Sequence, residues 1–162
     1  MILNKLSTDK DVLKMCNWEY DKLNLKRIYF SAFRPVSGTP MENMEAESHL
    51  RQNHLYNVDF LRRNYGFNIK EFNQIMDDGM LPREDPKLAL AKANFEGAVD
   101  INEASYDELI RIPGIGLSTA KKLSKGYKVK KYEDLHKLGG WIERAKPFIE
   151  VDGKRQTSLI EF

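Results

Sequence analysis

The residues best placed to do chemistry in this chain form a short glycine-bearing turn, Pro113-Gly114-Ile115-Gly116, between two helical patterns. Ahead of it, Ser105 followed by Glu108 is a capping box that opens a helix, and Leu109, Ile110 and Ile112 give that helix an apolar side. Pro113 ends it, having no N–H to continue the ladder. Ser118 and Thr119 begin a second helix, and Ala120 is small enough to let the two helices pack closely. Gly114 and Gly116 allow positive φ and leave no side chain between the backbone and an approaching ligand. The first turn of a helix leaves its N–H groups unpaired, and the helix dipole makes that end positive. The combination predicts an anion site. The competing reading is a tight αα-corner that only builds the fold.

Charge favours the first reading. From Arg111 to Lys131 there are seven basic residues (Arg111, Lys121, Lys122, Lys125, Lys128, Lys130, Lys131) and no acidic one. The whole chain is only +2, so this is a local patch. Lysines beside a phosphate-binding turn add affinity that depends on salt and not on sequence. Taken alone, the run would read as a solvated face.

The string LIRIPGIGLSTAKKL resembles the helix-hairpin-helix motif of DNA repair and recombination proteins. Leu109, Ile112, Gly114, Ile115, Gly116, Ala120 and Leu123 fill the motif's positions. The resemblance implies sequence-independent binding of the DNA phosphate backbone. The implied contacts come from the main chain of Gly114, Ile115 and Gly116, from Ser118 and Thr119, and from Lys121, Lys122 and Lys125. It also implies a monovalent cation held by the carbonyls of Ile110, Ile112 and Ile115. A degenerate second copy follows, with a short helix over 132–138, a Gly139-Gly140 turn, and a helix from Trp141 to Phe148 carrying Ala145 at the packing position. It lacks the second hairpin glycine, so its expected role is structural, and Trp141 is expected in the core. Paired motifs of this family form a compact four-helix unit.

Elsewhere the sequence limits the chemistry. The single cysteine, Cys16, excludes an intrachain disulfide and a cysteine-built zinc or iron–sulfur site from this chain alone. Cys16 sits on an amphipathic pattern and reads as a small buried hydrophobe. His49, His54 and His136 have no metal-ligand spacing. No apolar run reaches the roughly 18 residues of a membrane span, nothing at the amino end resembles a signal peptide, and the expected compartment is cytoplasmic. No paired carboxylates or nucleophile–base set stands out, which leans against an independent enzyme.

The periodicity predicts a helix over 9–23, capped by Thr8 or Asp9, then one strand, LKRIYFSAF, over 25–33. No second strand of similar quality occurs in the first 100 residues. A lone strand needs a partner. Further helices are expected over 45–65, 69–78 and 87–94, with His54 in the interior of the longest. The tail over 148–159 reads as a β-hairpin around Asp152-Gly153 in a type I′ turn. The expected partition is an α/β fragment over 1–44, a helical linker region over 45–97, and a tandem helix-hairpin-helix domain over 98–162.

The segment DKDVLKMCNWEYDKLNLKRIYFSAFRPVSGTPMEN resembles the late portion of a radical S-adenosylmethionine barrel. With RQNHLYNVDFLRRNYGF, DPKLALAK and VDINEASYDELIRIPGIG, it is similar to a DNA modification or repair subfamily of those proteins, one that ends in a helix-hairpin-helix domain. The resemblance covers roughly residues 9–152. The family's Cys-x-x-x-Cys-x-x-Cys motif is missing here. A 4Fe–4S cluster and S-adenosylmethionine are therefore expected only if a partner chain supplies the rest of the barrel. Arg34 and the loop Ser37-Gly38-Thr39 would line the far wall of such a site, although a plain turn is the better reading of that loop. The fold expected is mainly α, with an amino-terminal α/β fragment and a carboxy-terminal tandem helix-hairpin-helix domain. The leading function is sequence-independent DNA binding in repair or modification. The runner-up is a non-catalytic subunit that completes a split barrel, or self-associates, through its amino-terminal strand.

Overall fold

The computed structural model describes residues Met1–Gly153, and among these it is mainly helical, with four two-residue strands. The chain divides into two compact units, Met1–Ala89 and a second beginning at Leu90. No helix among the described residues is long and apolar enough to cross a membrane.

The first unit opens as β1 (Ile2–Leu3), α1 (Asp9–Leu23) and β2 (Ser31–Ala32). Thr8 caps α1 through a reciprocal box with Asp11, and Asn24 ends it at φ 51°, a left-handed conformation that asparagine tolerates. β1 and β2 pair in parallel, Ile2 opposite Ser31 and Leu3 opposite Ala32. The result is a small βαβ unit, and it corrects the expectation of a strand without an intrachain partner. Two residues are too few to show an alternating pattern, which is why β1 is invisible in the sequence.

The predicted strand over 25–33 shortens to Ser31–Ala32 because side chains take up its backbone groups. The Ile28 N–H donates to the Tyr20 hydroxyl at 3.1 Å, the Phe30 N–H to the Tyr56 hydroxyl at 2.9 Å, and the Ala32 N–H to Gln52 Oε1 at 2.7 Å. Tyr56 in turn donates to the Phe30 carbonyl at 2.9 Å. This edge of β2 is therefore already hydrogen-bonded by α2 (His49–Tyr65) and α1.

α2 starts at His49, later than expected, because the Ser48 hydroxyl accepts the Arg51 N–H and sets the cap. Its Arg51 is buried at the centre of the unit. Nε donates to Asp9 and Nη1 to Glu47, each at 2.6 Å, and further bonds reach the Asn4 and Ser7 carbonyls. Burial alone would raise the pKa of Glu47, but the Ser48 N–H and Arg51 hold it below the usual carboxylate range. Val12, Leu13, Cys16, Ile28, Phe30, Leu55, Val58 and Phe72 make the apolar core. Burial, helped by Glu19 and Asp59, pushes the Cys16 thiol up to about 12, as a small buried hydrophobe requires. His54 is buried on α2 as expected.

α3 (Ile69–Asn73) is shorter than the helix expected over 69–78, because Asp77 and Met80 pair across a turn with Asp78 and Gly79 at positive φ. α4 (Pro86–Asn94) carries the chain from one unit to the next. Of the helices in the region 45–97, α2 and α3 lie within the first unit and α4 spans the division at Ala89 and Leu90.

The second unit runs β3 (Val99–Asp100), α5 (Tyr106–Arg111), α6 (Leu117–Ser124), α7 (Tyr132–Lys137), α8 (Ile142–Ala145), a single 3-10 turn (Lys146–Phe148) and β4 (Ile149–Glu150). β3 and β4 pair in parallel and tie the beginning of the unit to its end. Asp152 and Gly153 both have positive φ, as a type I′ turn requires. The second arm of the expected tail hairpin lies outside the described residues, and the first arm pairs with β3.

Candidate nucleic-acid interface

The turn that could bind phosphate is positioned from both sides by helix chemistry. On the α5 side, the Ser105 hydroxyl accepts the Glu108 N–H at 3.2 Å while the Glu108 carboxylate accepts the Ser105 N–H at 2.8 Å. These bonds to Ser105 hold Glu108 below its ordinary carboxylate value. Leu109 and Ile110 are buried beneath the helix. Ile112 leaves the helical region, with ψ 126°, as the residue before a proline prefers. The Ile115 N–H then bonds the Ile112 carbonyl at 3.2 Å and closes the turn over Pro113-Gly114.

On the α6 side, Gly116 is the N-cap and provides no side-chain cap. The first bond of α6 is from the Ala120 N–H to the Gly116 carbonyl at 2.9 Å. Among the described residues, the N–H groups of Gly116, Leu117, Ser118 and Thr119 have no hydrogen-bond partner. Four donors converge on one short stretch of chain at the positive end of a helix, as the sequence predicts.

The two glycines differ, which the sequence does not reveal. Gly114 has φ +82°, as expected, but Gly116 has φ −92° and ψ 167°, ordinary extended backbone. The expectation of positive φ at Gly116 is thereby corrected. Gly114 is also covered. A Cβ there would lie 2.3 Å from the Trp141 carbonyl oxygen, and the Trp141 N–H donates to the Gly114 carbonyl at 2.8 Å. Gly114 is therefore where the second helix pair, α7 and α8, docks on the first.

Other expected site residues divide in the same way. Ser118 is exposed next to the free N–H groups. Thr119 is buried and its hydroxyl donates to the Leu138 carbonyl at 3.0 Å, which leaves its N–H as the group it could offer an anion. Ile110, Ile112 and Ile115 bury their side chains, which leaves main-chain carbonyls as the only groups they could offer a cation; the one at Ile112 already accepts the turn hydrogen bond. Ala120 is fully buried between the helices, as expected.

Lys121, Lys122, Lys125, Lys130 and Lys131 are exposed and have no ion-pair partner among the described residues. Lys128 instead bonds Glu103 and the Asn102 carbonyl, both at 2.9 Å, and Arg111 donates to the Asp107 carbonyl. Five of the seven cations of the basic run thus have no side-chain hydrogen bond or ion pair among the described residues. Lys125 sits at the C-cap of α6, about 12 Å along the helix from the free N–H groups.

The second turn is closed rather than open. Gly139 has φ +88°, and a Cβ on Gly140 would lie 2.6 Å from Leu135 Cγ. Trp141, expected in the core, is instead 61% exposed, with the Arg144 guanidinium 5.3 Å over its ring. Helical spacing suggested burial, but Trp141 precedes α8 as its N-cap, so periodicity did not apply to it.

No protein-family model matches this chain, and neither a curated protein nor a solved structure is significantly similar to it.

Proposed function

We propose that the second unit binds DNA independently of sequence, through the phosphate backbone. One observation carries the reading: the unpaired N–H groups of Gly116, Leu117, Ser118 and Thr119 stand at the start of a helix whose exposed face carries Lys121 and Lys122. Backbone donors orient a phosphate and cannot distinguish bases, and the lysines add long-range attraction. The helix-hairpin-helix resemblance agrees with this arrangement and makes DNA repair or modification the setting. A monovalent cation at the carbonyls of Ile110, Ile112 and Ile115 belongs to the same proposal, as a bridge between the turn and a phosphate.

The radical S-adenosylmethionine resemblance draws support from the parallel β1–α1–β2 unit, the kind of unit such barrels repeat. Completion of a barrel across the outer edge of β2 is disfavoured, because Tyr20, Tyr56 and Gln52 already bond that edge.

The test is a titration of the full chain with two labelled duplexes of unrelated sequence. Both should bind with the same affinity. Gly116→Val should weaken both alike, because φ −92° is open to any residue while the substitution puts a branched side chain on the residue that carries the first free N–H. A folded Gly116→Val protein that binds as the parent does would defeat the proposal.

A further inference from the structure

Trp141 is an exposed indole mounted directly on the phosphate-binding turn. Its main chain is fixed at both ends. The N–H donates to the Gly114 carbonyl at 2.8 Å, and the carbonyl accepts from the Arg144 and Ala145 N–H groups at 3.2 Å. The backbone of Gly114 lies so close to the Trp141 carbonyl that no other residue fits there. The main chain of Trp141 thus has a defined place against Gly114, two residues before the first of the free donors. Arg144 lies over the ring, yet 61% of the residue faces solvent. The apolar core of this part of the unit is made by Leu135, Leu138 and Ala145, which are buried while Trp141 is not.

An exposed flat ring on a residue bonded to the proposed phosphate-binding turn, with a guanidinium over it, has the chemistry of a base-stacking platform. A base inside a duplex is stacked on both faces and cannot use it. An unpaired base can. Resting on the DNA-binding reading above, we infer that Trp141 stacks an unpaired nucleobase, so that the preferred ligand is DNA in which a duplex meets a single strand. The hairpin would hold the backbone phosphate while the indole takes the first base beyond the paired region.

The experiment uses the full chain carrying Trp18→Phe, which leaves Trp141 as the only tryptophan. It compares a blunt duplex with the same duplex bearing a single-stranded tail. The tailed DNA should quench the Trp141 emission and bind tighter by on the order of tenfold, the scale of one base–aromatic stack. Trp141→Ala should bring the ratio of the two affinities close to one. Trp141→Phe should restore part of the ratio and Trp141→Leu should not, because a π-face is required rather than bulk. Thermal melts that match the parent's establish that the variants are folded. An unchanged ratio in Trp141→Ala, or tailed DNA that binds without quenching, would overturn stacking and leave the backbone-binding reading standing. Failure of the parent to bind either DNA would overturn both.

Discussion

The longest helix of the first unit and the basic run around α6 in the second use their basic side chains in opposite ways. In the first, every arginine of α2 is paired within the fold: Arg51 with Asp9 and Glu47, Arg62 with Asp21, and Arg63 with Asp59. In the second, Lys121, Lys122, Lys125, Lys130 and Lys131 have no acidic partner among the described residues. Arginine, with a planar fork and several donors, suits a buried multi-partner hub. Lysine on an exposed face suits a diffuse anionic ligand that is met in many registers. The comparison teaches that net charge is a poor guide to function here. What matters is which charges the fold has already neutralised.

The sharpest way to break this contrast is at Arg51. Removing one member of a buried ion pair leaves the others unpaired and costs about 3–5 kcal/mol. Arg51→Ala should therefore unfold the first unit at much lower denaturant concentration, and chemical denaturation followed by far-UV circular dichroism would measure it. A loss near that of an exposed arginine would mean that Arg51 is not the hub.

The same hub has a pH signature. The pKa of Glu47 is lowered in the folded protein from an ordinary value of 4.5. Its contribution is therefore fully present above that value and is lost as pH falls through the folded pKa. The unfolding midpoint should hold steady from neutral pH down to mildly acid pH and then drop below pH 4.5, and Glu47→Gln should flatten part of the drop.

In the second unit the largest structural effect is expected at Ala120. Ala120→Leu places extra volume where exposure is zero and should cost about 1–3 kcal/mol. A thermal midpoint equal to the parent's would show that α5 and α6 do not close over this residue. A smaller effect is expected at the cap. Ser105→Ala should cost about 1 kcal/mol at neutral pH. The loss should shrink below pH 4.5, because Glu108 is held low by Ser105 and gives up its half of the capping box once protonated.

The sequence makes some of this architecture legible and hides the rest for physical reasons. The capping box at Ser105 and the left-handed turn at Gly114 depend on a few local residues and stand as expected, and of the two caps expected for α1 the structure uses Thr8. The parallel pairing of Ile2–Leu3 with Ser31–Ala32 is non-local and too short to leave a pattern. Nor can local reading see that Tyr20, Tyr56 and Gln52 replace a neighbouring strand. At the candidate site, the helix-start donors and Lys121, Lys122 and Lys125 are legible because they follow from spacing. The second job of Gly114 and the exposure of Trp141 both arise where two helix pairs meet, and no residue near either one in sequence announces that contact.

The central claim is that unpaired donors and unpaired lysines of the second unit hold phosphates. The salt dependence of affinity for a random-sequence duplex tests it most directly. Each lysine–phosphate contact contributes about 0.9 to the slope of log affinity against log salt. Lys121→Ala with Lys122→Ala should therefore lower the magnitude of that slope by nearly 2 while the protein stays folded. A double variant with the slope of the parent would contradict the account.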